Sequence, residues 1–196
     1  MSLAAQVTKS MLTLCEMMDD RGDLVVKEKL QQFLGGQIES LVSNKTIFTV
    51  DAGTHRVLYA LASKFKASDI KKYLDGEVEM TSVESIIIIV REKISSTNLK
   101  TLEDIKNVQV FELRELLFNI SKHSLVPCHE LIGTSLNEEL IQEIIDKHNV
   151  KSRFQLPIIL KTDPMARYLN AKPGNIIKIT RYSPTSGEHI VYRCCM

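Results

Sequence analysis

Residues 156–196 read LPIILKTDPMARYLNAKPGNIIKITRYSPTSGEHIVYRCCM, and this stretch decides the fold of the C-terminal part. Asp163-Pro164 is a helix start, with Asp as N-cap and Pro at the first helical position. Met165, Ala166 and Leu169 follow at helical spacing. Lys172-Pro173-Gly174-Asn175 fits a type II turn, with Pro at the second position and Gly at the third, where φ must be positive. Ile176 to Tyr182 reads as a strand, Ser183 to Gly187 as a turn, and Ile190 to Cys195 as a returning strand. The stretch has no nucleophile–base pair, metal cluster or phosphate loop. It offers a folded surface rich in Lys and Arg.

Working outward, Ser121 to His129 marks a domain junction, because Pro127 forces Val126 extended and ends any helix before it. After it, Ser135-Leu136-Asn137-Glu138 is a capping box, and Leu136, Leu140, Ile141, Ile144, Ile145 and His148 make one apolar helix face. Toward the N-terminus, Leu3, Val7, Met11, Leu14 and Met18 define an amphipathic helix that Arg21-Gly22 stops. A second helix spans roughly Val26 to Leu34 and ends at Gly35-Gly36. Thr46–Val50 and Arg56–Leu61 read as strands around the loop Asp51-Ala52-Gly53-Thr54, and Ala67–Leu74 as a short helix. The run Ile86-Ile87-Ile88-Ile89-Val90 is entirely β-branched and reads as a central strand. Thr101–Asn107 reads as helix and Val108–Leu113 as strand, whereas Arg114–Ile120 fits helix or strand by pattern alone. Interleaved helices and strands indicate an α/β layer.

The chain has 196 residues, enough for one well-cored domain or two small ones. Its longest apolar run is strand-length, far short of a membrane span. The opening MSLAAQVTKSML lacks the basic and apolar regions of a secretory signal. Four cysteines (15, 128, 194 and 195) show no C-x-x-C spacing, so a reducing compartment, cytosol or nucleus, is expected. The net charge of +1 hides an asymmetry. From Lys151 onward, eight Lys/Arg face only Asp163 and Glu188, a balance of +6, so the first 150 residues carry −5. A basic module implies an acidic partner, nucleic acid or protein.

DPMARYLNAKPGNIIKITRYSPTSGEHIVYR resembles the C-terminal assembly domain of the small subunit shared by eukaryotic nuclear RNA polymerases I, II and III, a family that extends to the archaeal RNA polymerase. The matching positions are Asp163, Pro164, Ala166, Tyr168, Gly174, Lys178, Arg181, Ser183, Thr185, Gly187, Tyr192 and Arg193. Pro173 replaces a basic residue before the turn glycine, and Pro184 replaces an acidic residue in the second turn. The text NISKHSLVPCH resembles the family's interdomain link, Arg91-Glu92-Lys93 its post-strand element, and MMDDRGDLVVKEKL the eukaryotic N-terminal opening. Ser95-Ser96-Thr97-Asn98 stands near where many members carry a T-P-S-A element facing downstream DNA, and does not reproduce it. The resemblance also makes Arg114–Ile120 a strand.

The resemblance implies an α/β (α+β) chain, with an N-terminal jaw domain over 1–122 and a small mixed α/β assembly domain over 123–196. It implies a non-catalytic subunit of DNA-directed RNA polymerase, with no cofactor and no membrane. The C-terminal domain would anchor on the largest subunit, near the omega-like subunit, and the N-terminal domain would form part of the lower jaw beside downstream duplex DNA. Arg167, Tyr168, Lys172, Gly174, Lys178, Arg181, Tyr192 and Arg193 become the partner-binding candidates, and Asp163, Pro164 and Gly187 the structural ones. Nucleus is the implied location, or cytoplasm or virion if a large DNA virus encodes the chain. The rival reading is a free-standing nucleic-acid-binding regulator that reuses the assembly domain.

Sharper chemical readings are weak. His123, Cys128 and His129 lack the second ligand pair that zinc needs, and read better as linker residues that hydrogen-bond across the junction. Asp163 reads as an N-cap, Glu138 as a capping-box residue and Glu139 as solvated, rather than as catalytic carboxylates. A metal-dependent nuclease would need more than Glu92-Lys93. Cys194 and Cys195 diverge on a strand and read as packing, not as a redox couple. Arg181 and Arg193 lie on neighbouring strands of the final hairpin and could present guanidinium forks to carboxylates or phosphates.

Overall fold

The computed structural model describes residues 1–34, 38–44, 46–52, 55–62, 70, 85–103, 107–133, 138–185 and 187–196, the side chains of 39, 44, 96 and 133 excepted. The expected helix over Ala67–Leu74, the capping box at 135–138, the Gly35-Gly36 stop and parts of the loops at 51–54 and 183–187 lie outside the described residues. Two compact units result, Met1–Phe118 and Asn119–Met196. Among the described residues no helix is long and apolar enough to cross a membrane.

The first unit is a four-stranded sheet with helices on both faces. Helix α1 (Leu3–Asp20) buries Val7, Met11, Leu14 and Met18, the stripe its spacing predicts. It stops as its sequence requires: Gly22 takes φ 80, and the Asp23 amide reaches back to the Met18 carbonyl at 2.8 Å. Helices α2 (Leu24–Leu34) and α3 (Ile38–Asn44) follow, the latter not anticipated from sequence. The sheet runs β1 (Ile47–Ala52), β2 (His55–Ala60), β3 (Ser85–Val90), β4 (Val108–Glu112), in that spatial order. β1 pairs antiparallel with β2, and the β2–β3 and β3–β4 pairs are parallel. Helix α4 (Ser96–Glu103) lies in the crossover from β3 to β4.

This topology explains the five-residue apolar run. Ile86, Ile88 and Val90 join Leu58, Ala60, Leu102 and Val110 in one core cluster, with Leu99 packed against it. By strand alternation, Ile87 and Ile89 share the opposite face with Val57 and Tyr59. There Tyr59 stacks on Phe48 at 5.0 Å, and its hydroxyl lies 3.0 Å from Ser10 Oγ on α1. A strand buried on both faces has no polar side to show.

Arg114–Ile120 is not a strand. Glu112 and Glu115 cap each other reciprocally, and Leu113–Leu116 winds into a 3₁₀ turn. Leu113 and Leu116 are both buried, a spacing of three that a helical turn satisfies and an alternating strand does not. A second 3₁₀ turn, Ile120–Lys122, opens the C-terminal unit, where Asn119 Oδ1 accepts the Ser121 amide.

The second unit is a mixed sheet ordered β5 (Cys128–Gly133), β7 (Ile176–Ser183), β8 (Gly187–Cys195), β6 (Ile158–Ile159). β7 pairs antiparallel with β5 and β8, while β6 runs parallel to β8. β5 and β6 were not read from sequence. Helix α5 (Glu138–Lys147) packs Ile141, Ile144 and Ile145 against Leu156, Ile176 and Cys194. Ile177, Ile179 and Cys195 point to the other face, where the segment after helix α6 (Pro164–Tyr168) closes the core, with Cys195 Sγ 3.8 Å from the Ala171 carbonyl.

Candidate partner-docking surface on the C-terminal unit

The local signals around α6 act as their chemistry requires. Asp163 Oδ1 accepts the amides of Met165 at 2.8 Å and Ala166 at 3.4 Å, and Pro164 occupies the first turn. Asn170, at φ 54, ends the helix. Gly174 takes φ 87 as the third residue of the turn, and the Asn175 amide closes that turn on the Lys172 carbonyl at 2.9 Å. The Gly174 amide also reaches the Cys195 carbonyl at 2.9 Å, which ties the turn to the end of β8. Gly187, at φ 67, opens β8 at the hairpin turn.

The partner-binding candidates separate into three groups. Tyr168 is 4% exposed, with its hydroxyl 3.4 Å from Ser121 Oγ, so it serves the interior of this unit and not its surface. Tyr192 is half-buried and meets His148 edge-on at 5.2 Å. Lys178 places Nζ 3.0 Å from Glu130 Oε2, a cross-strand pair set by the Glu130–Lys178 register. Hydrogen bonding and attraction to that carboxylate push the Lys178 ammonium up from its ordinary value. Arg167 is half-buried in α6, and Lys172 is exposed at the turn.

Arg181 and Arg193 do lie on neighbouring strands and on the same sheet face, but not side by side. Arg181 pairs with His189 and Arg193 with Ile177, so four residues separate them along the hairpin, about 13 Å at strand rise. A single two-guanidinium fork is excluded. Arg181 is exposed at the free end of the hairpin, beside Tyr182, which is 82% exposed. Arg193 sits at the sheet's β6 edge, where Nη1 donates to the Ile158 carbonyl at 3.3 Å. Its Nε is buried with no acceptor among the described residues. Ile158, whose carbonyl it reaches, and Leu160 are 52% and 61% exposed. By register the Ile158 side chain lies on the face of its partner Cys194, opposite Arg193. This end of the sheet therefore shows exposed aliphatic side chains, Met196 among them, and a cation on its other face, which sequence reading missed. In PIILK all three aliphatic residues look alike, and only the fold shows that Ile159 is buried and its neighbours exposed.

The net charge of this unit is smaller than the +6 of its last residues. Asn119–Met196 holds ten Lys/Arg and seven Asp/Glu, a balance of +3, and Met1–Phe118 carries −2. The difference comes from Glu130 and the acidic residues of α5, with Lys122 and Lys147 offsetting part of it.

Other chemistries have little support. Among the described residues no group of three or more His, Cys, Asp or Glu could hold a metal. His129 Nδ1 donates to the Pro127 carbonyl at 2.7 Å, and His123 Nδ1 accepts the Leu125 amide at 3.2 Å. Both bonds are local rather than reaching across a junction. Cys194 and Cys195 are free, buried thiols pushed up by burial, a packing role and not a redox one.

Residues 118–195 match the family model described as "RNA polymerase Rpb5, C-terminal domain". Over 195 residues the chain is 32% identical to "DNA-directed RNA polymerases I, II, and III subunit rpabc1" of Dictyostelium discoideum, covering 94% of each. It is 29% identical over 153 residues to "DNA-directed RNA polymerases IV and V subunit 5B" of Arabidopsis thaliana, which spans 78% of this chain and 64% of that one. An archaeal relative, "DNA-directed RNA polymerase subunit Rpo5" of Methanococcus maripaludis, is 45% identical over 74 residues, 38% of this chain and 88% of its own.

Proposed function

The chain belongs to the Rpb5 family of RNA polymerase subunits, and on that premise we propose that it is a structural, non-catalytic subunit of a nuclear DNA-directed RNA polymerase. The observation that carries this reading is the similarity over 94% of both chains to a subunit named for three polymerases. It includes the N-terminal unit as well as the more widely shared C-terminal one.

Within that role, the C-terminal unit anchors the chain on the largest subunit, near the omega-like subunit. Arg181 at the hairpin tip and Arg193 with the Ile158–Leu160 edge are the residues that reach the partner. Exposed aliphatic side chains at the β6 edge, and an arginine with one buried nitrogen on the other face of that edge, support this, because Arg and apolar contacts dominate stable interfaces. The N-terminal unit forms part of the lower jaw beside downstream duplex. Its balance of −2 does not favour phosphate by itself, so any DNA attraction there comes from local Lys and Arg and weakens with salt.

The test is affinity purification of the tagged chain from nuclear extract in high salt, with partners identified by mass. Recovery of both large polymerase subunits in equal amounts supports the reading. Recovery of the chain alone, or with DNA that salt removes, would replace it with a free-standing regulator that uses the same C-terminal unit.

A further inference from the structure

We propose that Ser183 is a phosphorylation site for a proline-directed Ser/Thr kinase, with the phosphate held by Arg181 and His189. Ser183-Pro184 is the only Ser-Pro or Thr-Pro step in the sequence. Proline after the acceptor presents a ring and no N–H, so an apolar kinase pocket can take it without leaving a donor unpaired.

The hairpin delivers this step to a kinase. β5 stops pairing with β7 at Thr180, and among the described residues β6 pairs with β8 only at Cys194 and Cys195. Residues 181–185 and 187–189 therefore stand beyond both edge strands, and Arg181, Tyr182, Pro184, Thr185, Glu188 and His189 are all exposed. Before the chain docks on its partner, a cleft can enclose the tip without unfolding the sheet.

The register also prepares a place for the product. Ser183 and Arg181 lie two apart on β7 and so share a face, and His189 joins it as the cross-strand partner of Arg181. Glu188 pairs with Tyr182 and so lies on the opposite face. Thr185 closes the turn on Ser183, with its amide 3.4 Å and its hydroxyl 3.1 Å from Ser183 Oγ. Phosphate on that oxygen meets two donors of the turn itself, a guanidinium and an imidazole. In the transfer, Ser183 Oγ bonds the γ-phosphorus of ATP, the bond to the β,γ-bridging oxygen breaks, ADP leaves, and the kinase's base takes the hydroxyl proton.

The experiment incubates the full chain with magnesium-ATP and a purified proline-directed kinase, beside a Ser-Pro peptide as control. Intact mass and peptide fragmentation follow the product. One phosphoryl group on Ser183 is expected, with none at that site in Ser183→Ala. Pro184→Glu keeps the acceptor and should slow transfer by about tenfold, the order lost when an apolar pocket loses its occupant. In the phosphorylated chain, Arg181→Gln should raise the second pKa of the phosphate, read by phosphorus NMR, by about one unit. Circular dichroism checks that each variant is folded. No transfer to the chain while the peptide is phosphorylated would overturn the proposal. So would transfer that persists in Ser183→Ala, or an unchanged rate in Pro184→Glu. An unchanged phosphate pKa in Arg181→Gln would overturn the holding role of that residue.

Discussion

Charge reversal at Arg181 and at Arg193 tests the same docking surface but should have different effects on folding. Arg193 Nη1 donates to the Ile158 carbonyl at 3.3 Å, a side-chain tie between β8 and the short β6 edge. A hydrogen bond contributes about 0.5–1.5 kcal/mol net, and this one is exposed, so its charge adds little. Glutamate at 193 cannot donate, and it sets a carboxylate against a carbonyl oxygen. Part of the loss is offset, because the buried, unpaired Arg193 Nε is removed with the side chain. The net loss is about 1 kcal/mol, against the roughly 4–12 kcal/mol expected for a unit of this size. Arg181 is exposed, so Arg181→Glu should change stability by less than about 0.5 kcal/mol. Arg193→Met removes the Nη1 donor, the unpaired nitrogen and the charge together but sets no carboxylate against the Ile158 carbonyl, so its difference from Arg193→Glu reads that repulsion alone. The assay is urea unfolding with hydrogen exchange read on the β6 and β8 peptides, run beside polymerase pull-down at low and high salt. Arg181→Glu should weaken docking with exchange unchanged. Arg193→Glu should weaken docking and speed exchange at both strands. Equal stability losses at the two positions would refute the placement of Arg193 as a structural tie and Arg181 as a free tip.

Three further outcomes are expected. Ser10 Oγ donates to the Val7 carbonyl at 2.8 Å, so Tyr59 supplies the proton in the 3.0 Å Ser10–Tyr59 bond, and Tyr59→Phe should destabilise the N-terminal unit by about 1 kcal/mol in urea melts. Asp163→Ala should lower the stability of the C-terminal unit by about 1 kcal/mol while Asp163→Asn retains most of it, because the amide oxygen can still cap the Met165 and Ala166 amides. Burial pushes the Cys15 thiol up from 9.0 to about 11, so between those values the unfolded chain loses a proton that the folded one keeps. Stability should fall as pH rises through that window, by up to about 1.4 kcal/mol per unit, and Cys15→Ala should flatten the profile in melts at successive pH values.

The periodic parts of the fold were legible. The α1 stripe, the β1–β4 strands, the Asp163-Pro164 helix start and the final hairpin each carry a local signal whose chemistry acts over a few residues. Besides helix α3, three elements were not. β6 is two residues long within an apolar run, so no alternation marks it. β5 follows Pro127 in text that reads as a linker, and its strand character comes from pairing with β7, a contact remote in sequence. The 3₁₀ turn at Leu113–Leu116 has a short apolar pattern that fits helix or strand, and the Glu112–Glu115 reciprocal cap settles it. A capping signal outranks resemblance there, because it satisfies backbone amides that a strand would have to pair elsewhere.

Charge was the least legible feature, and the reason is geometric. The basic tail suggested an electrostatic module, yet Lys178 is paired with Glu130 and the acidic α5 belongs to the same unit. What distinguishes this surface is where two arginines fall in the β7–β8 register. One is at a projecting tip, and the other is tied to the backbone of the β6 edge. If net charge drove docking, removing Lys172 and removing Arg193 would weaken it equally, since each deletes one positive charge. If the register drives it, Arg193 matters more than Lys172, because Arg193 is half-buried at the β6 edge with one nitrogen out of solvent and Lys172 is exposed at a turn. Salt separates the two cases again. A charge-driven contact weakens steeply between low and high salt, whereas an apolar edge held by one partly buried arginine survives it.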